Sequence, residues 1–346
     1  MINLLVVRTT HVEPHIKEPA FIRDLVFGFG DGINTSLGIV AGVGGAVISA
    51  DVVILAALIA NFNSFSTNAR KGNYPVETKT VNVDDAKISY RIYGDTGATP
   101  LVLLAPLGSS MDDWDPAVIN GLTKYSQVVV FDNKGVGTST GKTPTTIAAM
   151  AKDAISFIKA LGYQKVNLLG FSMGGFIAQE IVETEPQWVN KLILVGTGPQ
   201  GSEGLSDVGN KISSIANLDP QEQFLQSLFA PSAQSRQLGK ESFARIAAKK
   251  EGRDLPLSKE AFVGELTAVL GWAQPDSTAF ARAANVSTQT LIVAGKNDLL
   301  VPIVNPIKLY QALPNARLLL LPDAGHGVMF QYPDLFVQEA ENFLKN

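Results

Sequence analysis

The chain has 346 residues, and its 28 basic and 32 acidic side chains give a formal net charge of −4. A charge this small does not favour nucleic acid as a partner. The sequence contains no cysteine, which excludes a disulfide framework, a thiolate metal site and a cysteine nucleophile. Only three histidines occur, two of them in the first 15 residues, so no metal-ligand spacing is present and we expect neither a metal nor a cofactor.

The composition changes abruptly after the polar residues 1–20. Gly32–Ala50 is an uncharged run of 19 residues, just long enough to cross a bilayer. Asp51 ends this run, and a second, shorter apolar run follows at Val52–Ala60. Basic residues lie only outside the two runs, which fits a helical hairpin with both ends on the cytoplasmic side.

The segment Phe21–Ala46 resembles the first transmembrane helix of the vacuolar iron transporter family, with Asp31 at the position of that family's intramembrane aspartate. The family's other helices, its carboxylate-rich segment and the methionine of its second helix are missing. An isolated hairpin cannot enclose a transport path, so we assign no metal site here. We predict that residues 1–70 form a polar N-terminus and an apolar helical segment. The predicted location is cytoplasmic, with membrane association if residues 21–65 insert.

Residues 71–346 alternate between strand and helix patterns. Short apolar runs predict eight strands, at Val76–Val83, Lys87–Tyr93, Leu101–Ala105, Gln127–Phe131, Val166–Leu169, Leu192–Val195, Thr290–Val293 and Arg317–Leu321. Helical periodicity lies between them, for example over Thr145–Leu161 and Val304–Leu313. Strands that alternate with helices predict the α/β class, with a mostly parallel eight-stranded sheet covered by helices on both faces.

Residues 201 to about 283 interrupt this alternation after the sixth strand. They contain no clear strand but several amphipathic helical stretches, including Pro220–Phe229 and Lys259–Trp272. We expect a helical cap over the carboxyl edge of the sheet, where such sheets bind ligands. Trp272 and Phe280 are expected to be packing residues of this cap; the alternative is that either of them lines the pocket.

The pentapeptide Gly170-Phe171-Ser172-Met173-Gly174 matches G-x-S-x-G and lies between a predicted strand and a predicted helix. A strand that reverses directly into a helix leaves no room for a Cβ at the flanking positions, which explains the glycines. The turn strains Ser172 and lifts its hydroxyl toward the helix N-terminus, where the helix dipole favours negative charge. A glycine-rich turn with an inert serine is the alternative interpretation.

A serine nucleophile needs a base and a third group that orients the base. His326 is the only histidine after residue 15, and it follows the last predicted strand. Asp298 follows the preceding strand in the same way, so both are expected at the carboxyl edge of the sheet. Asp323 is a rival acid, although a residue three positions from His326 would be strained as its partner. The alternatives are a surface histidine and a turn-forming aspartate.

The chain order Ser172, Asp298, His326, each after its own strand, resembles the catalytic triad of the α/β-hydrolase superfamily. From Val76 to the C-terminus the chain is similar to its capped serine hydrolases. These include proline iminopeptidase-like enzymes, small-ester hydrolases and cofactor-free haloperoxidases. Asp132–Ser139 stands where this family has D-x-R-G-x-G-x-S.

One loop departs from that family, because Ala105-Pro106 replaces the usual His-Gly after the third strand. The resemblance implies an oxyanion hole formed by the backbone N–H groups of Leu107 and Met173. Pro106 lacks its own N–H but leaves that of Leu107 intact.

The sequence therefore predicts a serine hydrolase that cleaves a small, fairly apolar carboxylic ester or lactone through an acyl-enzyme. Ser172 attacks, His326 transfers the proton, and Asp298 orients the imidazole. The expected partner is a small ester or acyl compound. A non-catalytic binding protein on the same fold is the alternative from another class. Haloperoxidase, perhydrolase and aminopeptidase-like activities of the same triad are alternatives within the superfamily.

Overall fold

The computed structural model describes residues 4–6, 76–94, 99–249 and 252–345. These residues form one nine-stranded sheet, with the strand order β1-β9-β8-β7-β6-β4-β5-β3-β2. The strands are β1 Leu4–Val6, β2 Lys79–Val83, β3 Ala86–Tyr93, β4 Leu101–Leu104, β5 Val128–Phe131, β6 Val166–Phe171, β7 Val189–Val195, β8 Gln289–Gly295 and β9 Ala316–Leu321.

Strands β2–β9 confirm the predicted mostly parallel, eight-stranded sheet. β2 and β3 form the predicted antiparallel hairpin, whose turn holds Asp84 at a φ of 50°. β3 is also antiparallel to β5, whereas every other neighbouring pair is parallel. β4, β5 and β6 are buried along their whole length, because both faces of the sheet are covered.

The first strand extends the sheet beyond the predicted domain of residues 71–346. β1 pairs in parallel with β9, with Leu4 opposite Leu318. The sequence pattern predicts no strand here, because three residues are too few to show a period. The apolar segment predicted at residues 21–65, with Asp31, lies outside the described residues. Within the described ranges, no helix has both the length and the apolar character that crossing a bilayer requires.

Helices cover both faces of the sheet. Those in the described residues are α1 Pro116–Leu122, α2 Ile147–Ala160, α3 Met173–Thr184, α4 Val208–Ser214, α5 Pro220–Leu228, α6 Ala233–Ala247, α7 Lys259–Trp272, α8 Ala279–Ala284, α9 Val304–Ala312, α10 Val328–Gln331 and α11 Pro333–Lys345. Along β4, Val102 and Leu104 enter the core shared with α2 and α3. Leu101 and Leu103 enter the core shared with α1 and α11, as the two-residue period of a strand requires.

Helices α4–α8 lie between β7 and β8 and form the predicted cap. Polar side chains begin three of these helices: Asp219, Ser232 and Ser258 each accept a hydrogen bond from the backbone N–H three residues further on. Arg245 of α6 binds Asp115 of the core through Nε and Nη2, at 2.8 and 2.7 Å. Because Asp115 is completely buried, this bidentate pair fixes the orientation of the cap on the core.

Of the two aromatic residues expected to pack in the cap, one is buried in the structure and the other is exposed. Trp272 is buried and stacks on Phe176 of α3, with the ring centroids 5.5 Å apart, so its packing role is confirmed. Phe280 is 46% exposed, and the expectation that it packs is wrong. It lies on α8, a helix of only six residues that buries Ala279 and Ala283 instead.

Candidate active site

Ser172 lies in a strained turn between β6 and α3. Its φ of 54° and ψ of −116° place it in a region that residues with a Cβ rarely adopt. Close approach explains the flanking glycines: a Cβ on Gly170 would lie 2.4 Å from the carbonyl oxygen of Gly174, and one on Gly174 2.0 Å from that of Leu104. The predicted sharp turn is confirmed. It places Ser172 immediately before the first residue of α3, Met173.

The structure brings His326 and Asp298 together. His326 follows β9 and is 2% exposed, and its Nδ1 lies 2.7 Å from Oδ2 of Asp298, which follows β8. The other carboxylate oxygen, Oδ1, accepts hydrogen bonds of 2.8 Å from the backbone N–H groups of Leu300 and Val301. Two backbone donors therefore hold the carboxylate in one orientation, with its second oxygen on the imidazole.

Asp323, the rival acid, makes its contacts elsewhere. Its Oδ2 accepts a 2.7 Å hydrogen bond from the hydroxyl of Ser232 at the start of α6. Its backbone carbonyl accepts a 3.0 Å hydrogen bond from the Tyr332 hydroxyl. The Ser232 contact joins the loop after β9 to the cap, and the Tyr332 contact holds the same loop on the core. The geometry favours Asp298 as the partner of His326.

Ser172 and His326 line the same cavity, of about 150 Å³, between the sheet edge and the cap. Leu107 of the loop after β4 also lines it. The walls are mainly apolar, including Val208, Ile212 and Phe224 from the cap and Trp114, Phe171 and Phe330 from the core. The sequence did not indicate these lining residues, because only the packing of the cap on the sheet brings them together.

One part of the cavity wall is polar. Ser110 and Asp113 line it, and Oδ2 of Asp113 accepts hydrogen bonds from the backbone N–H and the hydroxyl of Ser110, at 2.8 and 3.1 Å. Burial raises the pKa of Asp113, and the guanidinium of Arg253, 3.5 Å away, opposes that shift. No sequence motif indicates Asp113, whose position at the cavity depends on the fold.

The backbone N–H groups of the loop after β4 differ in whether they donate a hydrogen bond. Pro106 has none, and the N–H of Gly108 donates a 2.8 Å hydrogen bond to Oε2 of Glu265 in α7. The N–H of Leu107 has no acceptor among the described residues, and neither has the N–H of Met173. The two predicted oxyanion donors are therefore free to bind a ligand.

Glu265 is a fully buried carboxylate that no motif indicates. Its Oε1 accepts a 3.1 Å hydrogen bond from the side-chain amide of Asn133, so each oxygen has an N–H donor. Burial raises the pKa of Glu265 to about 7, and the two hydrogen bonds oppose that shift. The sequence does contain one indication that Glu265 is buried. It is the single charged residue within the apolar stretch Ala261–Leu266, and a helix that is apolar on all sides is buried.

This raised pKa predicts a pH-dependent contribution to stability. Between pH 4.5 and about 7 the folded protein keeps a proton on Glu265 that the unfolded chain releases, so the contribution falls as the pH rises and stays low above 7. The full effect is about 3 kcal/mol. Glu265→Gln has no titrating group at this position. Its free energy of unfolding, relative to that of the wild type, should therefore rise by up to about 3 kcal/mol between pH 5 and pH 8.

Urea denaturation of both proteins at the two pH values measures this difference. Glu260→Gln, an exposed residue on the same helix, is the matched control. A stability difference between Glu265→Gln and the wild type that does not change with pH would contradict a titrating, buried Glu265.

The fold agrees with the family comparison. The profile of the alpha/beta hydrolase fold family matches residues 99–333, and the chain belongs to this family. A solved alpha/beta hydrolase fold protein from Chitinophaga pinensis is 37% identical and superposes with a TM-score of 0.76. That match covers 79% of this chain and 98% of the other.

Curated relatives narrow the class of protein. A protein of Agrobacterium fabrum, provisionally named a carbamate hydrolase, is 29% identical over 266 residues, 74% of this chain and 97% of that protein. The human serine hydrolase BPHL is 26% identical over 280 residues, 78% of this chain and 87% of that protein. With hydrolase names among its relatives, the chain is an esterase-like hydrolase of the α/β fold.

Proposed function

We propose that this protein is a serine hydrolase that cleaves small, fairly apolar carboxylic esters or lactones through an acyl-enzyme. One observation carries the proposal. His326, which contacts the buried Asp298 at 2.7 Å, borders a cavity whose wall also holds Ser172 in its strained turn. A base oriented by an acid and a serine at the same cavity are the parts that nucleophilic acyl transfer requires.

The proposed reaction begins when His326 Nε2 takes the proton of the Ser172 hydroxyl and Oγ bonds to the acyl carbon. The carbonyl π electrons move to its oxygen, and the N–H groups of Leu107 and Met173 stabilise that oxyanion. The carbonyl then re-forms, the bond to the alcohol oxygen breaks, and His326 returns the proton to that oxygen. Water repeats the sequence on the acyl-enzyme and releases the acid.

Asp298 has a separate role in this scheme. Its carboxylate accepts the Nδ1–H of His326, which leaves Nε2 free to act as the base, and it stabilises the imidazolium that forms. The backbone donors on its other oxygen support this role, because they keep the carboxylate from turning away from the ring.

The proposed substrate class follows from the cavity. Its walls are mainly apolar and its volume is small, which favours short acyl groups over long chains. The names of the relatives support hydrolysis but do not point to one compound. We place the chemistry in residues 71–346, with the cap at about 201–283.

The purified protein tests this proposal with a series of p-nitrophenyl esters and a fluorophosphonate probe. We expect turnover to be highest for short acyl chains, and a single adduct to map to the peptide that contains Ser172. A folded protein that neither turns over esters nor reacts with the probe would favour a non-catalytic binding protein on this fold.

A further inference from the structure

A buried carboxylate of the cap contacts the loop after β4 at the residue next to Leu107. Glu265 of α7 is 0% exposed, and its Oε2 accepts the N–H of Gly108, the residue that follows Leu107. Glu265 is not among the residues that line the cavity. Its direct hydrogen-bond partners are the Gly108 N–H of the loop and the side chain of Asn133, so an effect on the reaction passes through one of these two groups.

We propose that Glu265 is a positioning residue, which holds the loop after β4 in the conformation that directs the Leu107 N–H toward the oxyanion. This inference rests on the proposed function, because it requires an oxyanion hole at Leu107 and Met173.

The chemistry of the loop explains why an external acceptor is needed. Pro106 fixes the backbone on one side of Leu107. Gly108, on the other side, adopts a φ of 80° and has the wide conformational freedom of glycine. The Leu107 N–H belongs to the peptide plane before the Cα of Leu107, and the Gly108 N–H belongs to the peptide plane after it. An acceptor that holds the Gly108 N–H therefore also restricts the rotation of the neighbouring plane, which carries the Leu107 N–H.

The surroundings of Glu265 favour this role over a general structural one. Burial raises the pKa of Glu265, and the N–H donors of Gly108 and Asn133 oppose the shift, whereas no cation among the described residues contributes to it. A buried carboxylate without a cation is unfavourable, and an apolar side chain would avoid that penalty. The two N–H donors are thus the reason for a carboxylate at this position, and one of them belongs to the oxyanion loop.

The test compares substitutions in the full chain by kcat, KM and melting temperature. Glu265→Gln keeps an oxygen for the Gly108 N–H, and the Asn133 amide can rotate to accept from its NH₂ group. We expect its kcat to stay within about threefold of the wild type, because the loop keeps its geometry. Glu265→Leu removes the acceptor and should lower kcat by about 10- to 100-fold, with KM changed by less than about threefold.

Two control variants distinguish an effect on the loop after β4 from other effects of changing α7 or its contacts. Asn133→Ala removes the second hydrogen bond of Glu265 without touching Gly108, and should change kcat by less than about threefold. Thr267→Ala alters an exposed residue of α7 and should leave kcat unchanged. Glu265→Met, with a flexible side chain, replaces Glu265→Leu if the leucine variant does not fold.

The outcomes are distinct. Wild-type kcat in a folded Glu265→Leu or Glu265→Met variant overturns the inference, and so does a loss in Glu265→Gln as large as that in the apolar variants. If Glu265→Gln folds and neither apolar variant does, the role is structural and the inference is also overturned. Ser172→Ala is measured in parallel: if that variant still turns over esters, the proposed function has failed, whatever the Glu265 variants show.

Discussion

Replacing Ser172 with alanine is expected to abolish fluorophosphonate labelling and to lower kcat for ester hydrolysis by at least about 10⁴-fold. The substitution removes the only atom that can bond to the acyl carbon in the proposed mechanism. It leaves the N–H groups of Leu107 and Met173, which can account for residual catalysis. Alanine also has a Cβ, so the strain at a φ of 54° is unchanged and the melting temperature should stay close to that of the wild type.

A second serine of the same cavity provides the matched control. Ser227 of α5 lines the cavity, and its hydroxyl donates a 2.7 Å hydrogen bond to the carbonyl of Gln223. Ser227→Ala should still react with the probe at one site, as judged by intact-mass spectrometry. Full labelling of Ser172→Ala would show that another residue is the nucleophile.

The features that could be predicted from the sequence are local ones. A buried parallel strand such as β4 or β6 is a short apolar run, and its identity depends on little beyond its own residues. The turn at Ser172 could be predicted because the backbone contacts of Gly170 and Gly174 exclude any larger residue. The positions of Asp298 and His326 could be predicted because the ends of parallel strands meet at one edge of a sheet.

The features that could not be predicted depend on packing between distant segments. Glu265 meets Gly108 across 157 residues of chain, and no spacing rule connects them. Strand β1 is too short to show a period, and its pairing with β9 depends on an edge that exists only in the folded sheet. Phe280 has the residue type of a packing position, but the length and placement of α8 leave it exposed.

Asp298→Asn is expected to lower kcat by about 10⁴-fold while the protein remains folded. The backbone N–H groups of Leu300 and Val301 require an acceptor, so the amide oxygen should take the place of Oδ1. The NH₂ group then faces Nδ1 of His326 and can only donate to it. The neutral imidazole must carry its proton on Nε2, the atom that should accept the proton of Ser172.

Asp323→Asn separates this tautomer effect from a general loss of negative charge near His326. The asparagine oxygen can still accept the hydrogen bond from Ser232, so kcat should change by less than about threefold. Ester turnover and melting temperature are measured for both variants at a pH where the wild type is fully active. A large loss in Asp323→Asn with little change in Asp298→Asn would make Asp323 the acid of the site. Wild-type kcat in both variants would mean that His326 needs no carboxylate, and that the 2.7 Å contact with Asp298 serves the stability of the loop after β8 rather than the chemistry.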